Sequence, residues 1–213
     1  MKPRPGTVSL PAHLEPLTDD LEPEGDYDGV ELRDRDLTGQ DARSARFLES
    51  RIASCVLDDV SLAHAQLADT ELVEVRAATL EAIDSAWRDV AIMGCRLGAV
   101  TAYGAVLTRV RISGGKLDYL NLRDSTLVDV MVEDATIGDL DLIGARLTRV
   151  TFVRCRIRQI DLTRATLDRV DLRGADLAGL RGLAHLRGAT ITTGQLLELS
   201  GAFADHLGLT VSD

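Results

Sequence analysis

The sequence predicts an all-β solenoid, in which the chain winds into a stack of square coils. Every fifth residue from Tyr27 to Leu177 is apolar, in one unbroken frame that we call the ladder. The residue two positions before each ladder residue is small or aliphatic in nearly every repeat. A period of five fits neither a helix nor a plain strand, but two residues that are two positions apart share one face of an extended chain. Each five-residue unit is therefore one short side of a coil.

A spacing of 20 residues sets the number of sides per coil. At that spacing the residues before the ladder separate into columns of similar size, whereas a spacing of 15 mixes Val with Ala. One column holds only small side chains, namely Ala45, Ala65, Ser85, Ala105, Ser125, Ala145 and Ala165. Four sides of five residues therefore close one coil. At the strand spacing of about 4.8 Å, the roughly 150 residues of the repeat region would form a rod about 37 Å long.

Glycine is predicted to form some of the corners between sides. The corner follows two positions after a ladder residue, where the chain must change direction and a positive φ favours glycine. These glycines are Gly39, Gly94, Gly104, Gly114, Gly144, Gly174 and Gly179.

Residues 1–26 precede the ladder and form an N-terminal arm or cap. They contain all five prolines of the chain, which favour an extended or turn-rich course. Leu10, Leu14, Leu17 and Leu21 could fold part of the arm over the first coil. A disordered tail and a cap both remain open at this point.

The ladder ends after Leu177, and a shifted repeat continues to residue 191, so residues 27–191 are predicted to form the β-helix. Residues 192–213 are predicted to form a helical cap, because Thr192 and Gln195 match a capping box and Gly208 is a stop signal. Ser200–Gly201 could divide the cap into two short helices. Its apolar positions have helical spacing and are predicted to form a homodimer interface, consisting of Leu196, Leu199, Phe203 and Leu207.

The composition restricts the function. The chain has 213 residues and a formal charge of -10, with most of the acidic excess before residue 32. It contains no apolar run of the roughly 20 residues that a membrane-spanning helix needs, and its N-terminus does not resemble a signal peptide. We therefore expect a cytoplasmic protein that does not bind membranes.

The cysteines and histidines do not form a reactive site in this fold. Cys55, Cys95 and Cys155 lie in one inward column, at least two coils apart, which is too far for a disulfide. The four histidines lie in unrelated positions, so neither a metal site nor a catalytic triad can be assembled. We expect no cofactor, no metal and no enzymatic activity.

Several repeats resemble a known family. Ala145-Arg146-Leu147-Thr148-Arg149, Ala165-Thr166-Leu167-Asp168-Arg169 and Ala175-Asp176-Leu177-Ala178-Gly179 resemble the A(D/N)LXX signature of pentapeptide repeat proteins. The resemblance covers about 150 residues and implies a right-handed quadrilateral β-helix. The C-terminal cap looks like that of the quinolone-resistance branch, of the MfpA and Qnr type. That branch implies a homodimer that imitates duplex DNA, binds DNA gyrase and gives protection against quinolones or toxins.

Because the inward residues form the core, we expect the function to depend on the outward residues. The acids chosen as the candidate partner-binding surface are Asp69, Asp84, Asp89, Asp124 and Asp129. Duplex DNA carries one charge per about 1.7 Å, whereas residues 141–180 hold eight basic and five acidic residues. Some outward positions are apolar, including Ile83, Tyr103 and Ile143 in one column. A gyrase-binding DNA mimic and a rigid scaffold for another protein are therefore both open, and we expect no direct binding of nucleic acid.

Overall fold

The computed structural model describes residue 4 and residues 6–212, which form a parallel β-helix with a small helical cap. Each coil has 20 residues, and neighbouring coils pair in parallel with a register of 20, as in Leu107 opposite Leu127. We number the coils from coil 1 (residues 25–44) to coil 8 (residues 165–184), and the sides of each coil as faces 1 to 4 in chain order. The prediction of a four-sided β-helix is confirmed.

Faces 1 and 2 belong to one sheet. Its face 1 strands are Asp26–Asp28, Arg46–Leu48, Val106–Thr108, Thr126–Val128, Arg146–Thr148 and Thr166–Asp168. Its face 2 strands are Val30–Arg33, Arg51–Ala53, Arg111–Ser113, Met131–Glu133, Thr151–Val153, Val170–Asp171 and Ala189–Thr190. Gln66–Val73 and Ala86–Met93 run across both faces.

Face 3 and the start of face 4 form the second sheet. Its strands are Val60–Ser61, Arg76–Glu81, Arg96–Thr101, Lys116–Asn121, Thr136–Asp141, Arg156–Asp161 and Leu180–Arg181. In coils 3 to 7 these strands run through the corner between faces 3 and 4 without a break. Face 3 therefore joins face 4 by a flatter bend than the other corners.

The ladder forms the core. Every ladder residue from Tyr27 to Leu177 has a relative exposure of at most 8%. Apolar side chains from four faces meet on the coil axis, and burial of this surface is the main stabilising term. The rings of Tyr27 and Phe47 stack with their centroids 4.8 Å apart in coils 1 and 2.

The last residue of each face is its corner residue, and most corners are left-handed. Gly39, Gly94, Gly104, Gly114 and Gly144 have positive φ, as predicted. The prediction is wrong for Gly174 and Gly179, which do not. At those two glycines a Cβ would collide with a carbonyl oxygen of the preceding coil. Many other corners hold Asp, Arg, Ser or Glu in the left-handed region.

The N-terminal arm has two parts: residues 15–21 cap the first coil, and residue 4 with residues 6–9 forms an extended strap along the rod. The short strand Glu15–Pro16 pairs with Val30–Glu31 of coil 1, and Leu21 is buried against the first coil. Further towards the N-terminus, the chain runs back along the rod. The backbone N–H of Ser9 donates to Asp69, and that of Arg4 donates to Asp129. The described residues of the arm therefore lie against the rod, and residues 1–3 and 5 of the predicted arm lie outside the described residues.

Two helices close the other end. Helix α1 spans Thr193–Glu198 and helix α2 spans Ser200–Leu207, after a 3₁₀ turn at Leu183–His185. The capping box of Thr192 and Gln195 is present, which confirms that prediction. The division of the cap into two short helices is confirmed as well.

Candidate partner-binding surface

Charged side chains pair along the columns, from one coil to the next. The carboxylate of Asp129 lies 2.6 Å from the guanidinium of Arg149, and Asp134 lies 2.6 Å from Arg154. Arg51 pairs with Glu71 in the same way at 2.8 Å. Coil 6 holds five acidic and no basic residues, whereas coil 7 holds six basic residues and one acidic residue. Much of the outward charge is therefore neutralised within the rod.

Three of the five candidate acids lie on corner 1/2, which follows face 1. Asp89 pairs with Arg109 and Asp129 pairs with Arg149, so acids and arginines alternate from Asp89 to Arg149. The side chains of Asp89 and Asp129 are only 15% and 14% exposed. The N-terminal strap covers the same corner, where Gly6 donates its N–H to the Arg109 carbonyl over 3.2 Å. Asp69, Asp89 and Asp129 are thus already engaged by the chain itself.

The Arg149 pair makes stability depend on pH. The hydrogen bond from Arg149 is the main cause that holds the pKa of Asp129 below its ordinary value. A lowered folded-state pKa adds stability above the unfolded-state pKa of about 4, and this stability is lost as the pH falls through the lowered pKa.

Arg149→Gln is expected to be less stable than the wild type at pH 7, with the difference closing below about pH 4. Chemical denaturation at several pH values measures this difference. Arg146→Gln is the control, because Arg146 is exposed in the same coil and has no ion-pair partner among the described residues. A stability difference for Arg149→Gln that stays constant down to about pH 2 would contradict the assignment.

One column on face 3 breaks the alternation of charge. Arg76, Arg96 and Lys116 stand in register on three successive coils. Lys116 pairs with Asp118, but Arg76 and Arg96 have no carboxylate within salt-bridge distance in the described part of the chain. Like charges directly opposite each other on neighbouring strands are destabilising.

Arg96→Glu is therefore expected to raise the melting temperature by roughly 1–2 °C, since the new carboxylate would stand between Arg76 and Lys116. The same substitution at Arg109 should lower it, because Arg109 stands between Asp89 and Asp129. Thermal unfolding followed by circular dichroism compares the two variants. A fall in melting temperature for both would refute the pairing rule.

The other two candidate acids lie on corner 4/1, which follows face 4. Asp84 and Asp124 are exposed, and neither carboxylate has a hydrogen-bond or ion-pair partner in residues 4 and 6–212. Their carboxylates occupy the space that a Cβ would need on Gly104 and Gly144 of the following coils. The five acids thus border face 1 on both sides, but only this corner leaves its carboxylates free.

Exposed apolar side chains accompany the free carboxylates. Tyr103 and Val106 lie on either side of Gly104 and are 44% and 45% exposed. The other large apolar side chains that are exposed in the described chain all belong to the C-terminal segment, and they are Leu196, Leu197, Leu207, Leu209 and Val211. Sequence reasoning singled out Tyr103 but missed Val106, because the two are brought together across a corner.

The four residues predicted for the dimer interface divide into two pairs. Leu199 is buried and Phe203 packs against the core, so both attach the cap to its own rod. Leu196 and Leu207 are exposed. Sequence reasoning did not foresee that Gln195, beyond its part in the capping box, donates from Nε2 to the carbonyls of Leu172 and Ala175 at 2.8 Å.

The cysteines are packing residues. All three are buried and free, as predicted, and burial raises the pKa of each thiol. The described residues contain no group of three His, Cys, Asp or Glu side chains that could hold a metal ion. Neither described helix has the length and apolar character needed to cross a membrane.

Comparison with known proteins identifies the repeat. The pentapeptide repeat family matches residues 141–179 with eight copies. No curated protein matches the sequence. Among solved structures, a trypsin-treated variant of QnrB1, a plasmid-mediated fluoroquinolone resistance protein, has 15% identity and a TM-score of 0.43, over 94% of this chain and 100% of that one.

Two further solved structures are similar to this chain. Full-length QnrB1 has 17% identity and a TM-score of 0.32, over 84% of this chain and 100% of that one. HetL of the cyanobacterium Nostoc sp. strain PCC 7120, a pentapeptide repeat protein involved in heterocyst differentiation regulation, has 17% identity and a TM-score of 0.35, over 80% and 91%. Residues 141–179 therefore consist of pentapeptide repeats, and the same coil geometry extends from Tyr27 to Leu177.

Proposed function

We propose that this protein is a non-enzymatic rod that binds another protein through its outward side chains. The observation that carries the proposal is the pairing of charge along the columns, as in Asp129 with Arg149. Because this pairing neutralises much of the outward charge, the surface is a patchwork of both signs with local unpaired groups. Such a surface favours recognition by local patches on a rigid scaffold, since a preorganised surface loses little entropy on binding.

Affinity capture on the immobilised full chain tests the proposal. We expect one or a few proteins to be retained, displaced by free protein, and cross-linked to outward positions. Photo-cross-linking residues placed at outward positions on each face would identify the face. If no protein is retained in a way that free protein can displace, the scaffold function fails.

A DNA-mimicking inhibitor of DNA gyrase, protecting against quinolones or toxins, is the second candidate. It is favoured by Asp84 and Asp124, which are unpaired and lie two coils apart on one edge of face 1, about 10 Å along the rod. A gyrase supercoiling assay, with and without a fluoroquinolone, tests it. Inhibition or drug protection at nanomolar to micromolar protein would support this candidate, and no effect at high excess would remove it.

We further propose that the protein is a homodimer joined through its C-terminal segment. Leu197 and Leu207 are each 68% exposed, and Leu196, Leu209 and Val211 are exposed beside them in sequence. An apolar segment at the end of a rod favours a symmetric contact with a second copy. Leu199 and Phe203 support this contact indirectly, by fixing the helices to the rod.

The double variant Leu197→Asp/Leu207→Asp is expected to be a monomer by light scattering, whereas the wild type should have the mass of a dimer. Both positions are exposed, so the fold should persist, and circular dichroism checks that it does. Val106→Asp is the control for adding charge at an exposed apolar position elsewhere, and it should remain dimeric. A wild-type monomer, or a double variant that stays dimeric, would refute the interface.

A cytoplasmic location is part of the proposal. The three cysteines are all unpaired, which is usual for proteins of a reducing compartment. Fractionation of cells that express the tagged protein tests this, and recovery from a membrane or secreted fraction would contradict it.

A further inference from the structure

The two corners that border face 1 differ in one respect. Asp84 and Asp124 on corner 4/1 face Asp89 and Asp129 on corner 1/2, and the two acids of each corner lie two coils apart. Between and after these acids, corner 1/2 has Arg109 and Arg149, whereas corner 4/1 has Gly104 and Gly144. Corner 1/2 therefore carries counter-charges beside these acids, whereas corner 4/1 has glycine at the two matching positions.

The carboxylates of corner 4/1 project from left-handed corner residues and lie over glycine. Asp84 has a left-handed backbone with φ 51°, and Asp124 has φ 54°, so both side chains project from tight corners. Each carboxylate lies over the glycine of the next coil, in the volume that a Cβ would fill. The corner thus presents two exposed anionic groups two coils apart, which is about 10 Å along the rod.

An apolar anchor point lies between the two acids. Tyr103 and Val106 flank Gly104, and each exposes more than two fifths of its surface. Ile83 and Ala86 occupy the matching positions on the preceding coil, and Ile83 is partly buried. An exposed aromatic ring within an apolar patch, bordered by charged groups, is the usual arrangement of an interaction hot spot.

We infer that corner 4/1 binds a basic segment of another protein, which carries two Arg or Lys side chains about 10 Å apart with an apolar side chain between them. The basic groups would pair with Asp84 and Asp124, as Arg109 and Arg149 pair with Asp89 and Asp129 on the neighbouring corner. The apolar side chain would pack on Tyr103 and Val106. Charge complementarity identifies the occupant, because the free charged groups of this corner from Asp84 to Gly144 are carboxylates. The inference rests on the proposed protein-binding function and identifies the chemistry of its partner.

A displayed library of random dodecapeptides, selected on the immobilised full chain, is the probe. We expect the enriched peptides to carry at least two basic residues with an aromatic or aliphatic residue between them. Asp84→Asn/Asp124→Asn should weaken their binding at least about tenfold, because it removes both charge pairs. Asp19→Asn/Asp28→Asn removes the same charge from exposed acids near the N-terminal end and should leave their binding unchanged.

A second variant adds basic side chains to corner 4/1 itself. Gly104→Arg/Gly144→Arg would give corner 4/1 the counter-charges that corner 1/2 already has, and should also abolish peptide binding. Arg109 and Arg149 adopt φ 56° and 54°, so the backbone of this corner accepts arginine once the Asp84 and Asp124 carboxylates move out of the Cβ volume. Circular dichroism confirms that the variant is folded before its binding is measured.

The outcomes separate this inference from the general proposal. If selected peptides bind wild type and both corner variants equally, the corner site is wrong while protein binding stands. If no peptide is enriched, the inference fails, and affinity capture decides the general proposal independently. If Asp84→Asn/Asp124→Asn has a lower oligomer mass than the wild type, the corner contacts a second copy of the chain. That result would also overturn the inference.

Discussion

Trp87→Ala is expected to lower the free energy of unfolding by about 4 kcal/mol, the usual cost of removing a large buried aromatic side chain. Trp87 stands in the face 1 ladder between Leu67 and Leu107 and is only 6% exposed. Its Nε1 donates to the Ser85 hydroxyl over 2.7 Å, and that hydroxyl donates to the Ala82 carbonyl over 2.6 Å. The variant would lose this packing and leave a cavity on the coil axis.

Chemical denaturation followed by circular dichroism measures the effect, because Trp87 is the sole tryptophan and its fluorescence disappears with it.

Two further variants test why Trp fits a ladder otherwise built mainly from aliphatic residues. Trp87 and Ala102 line the same void of about 40 Å³, which indicates that a small side chain on face 4 compensates for the large one on face 1. Trp87→Leu should therefore be destabilised, and Trp87→Leu/Ala102→Leu should recover part of the loss. A double variant less stable than Trp87→Leu would contradict volume compensation.

Gln195→Ala is expected to lower the free energy of unfolding by about 2–4 kcal/mol, because it leaves two carbonyls of the last coil without their donor. The Gln195 side chain donates to Leu172 and Ala175, and its Oε1 accepts from the Thr192 N–H over 2.8 Å. Gln195 is buried, so water cannot easily replace these bonds. One side chain thus joins the helical cap to the end of the β-helix.

Hydrogen exchange of residues 193–207 measures whether the cap detaches locally, and chemical denaturation measures the total cost. Thr192→Ala is the matched control, since it removes the helix cap but keeps the bonds to the coil, and should cost about 1 kcal/mol. Equal costs for the two variants would show that the bonds to Leu172 and Ala175 contribute nothing.

The architecture could be predicted because the repeat is visible as a short-range pattern in the sequence. A five-residue period defines each side, and a 20-residue period defines each coil, so Leu107 and Leu127 can be aligned without any long-range information. The capping box is equally local, since Thr192 and Gln195 are three residues apart. The strap has no such period. Its contact between Arg4 and Asp129 joins residues 125 positions apart, and nothing in the local pattern indicates it.

Which of the candidate acids have unpaired carboxylates is harder to predict from the sequence, for a related reason. The choice of Asp69, Asp84, Asp89, Asp124 and Asp129 treated outward acids as equivalent. The 20-residue spacing already places Arg109 beside Asp89 and glycine beside Asp84, so the pairing could have been read from the same period that gives the coil. Burial by the strap could not, because it depends on where a segment without a repeat comes to lie.

The central claim is that the chain binds its partner with the free carboxylates of corner 4/1. The acids of corner 1/2 instead pair with arginines of the rod and accept hydrogen bonds from the strap. Quantitative affinity capture with two matched double variants tests this most directly, since both remove two acids that border face 1. We expect Asp84→Asn/Asp124→Asn to reduce the captured partner at least about tenfold, and Asp89→Asn/Asp129→Asn to change it less than about twofold. Equal losses in the two variants, or a larger loss from Asp89→Asn/Asp129→Asn, would contradict the account.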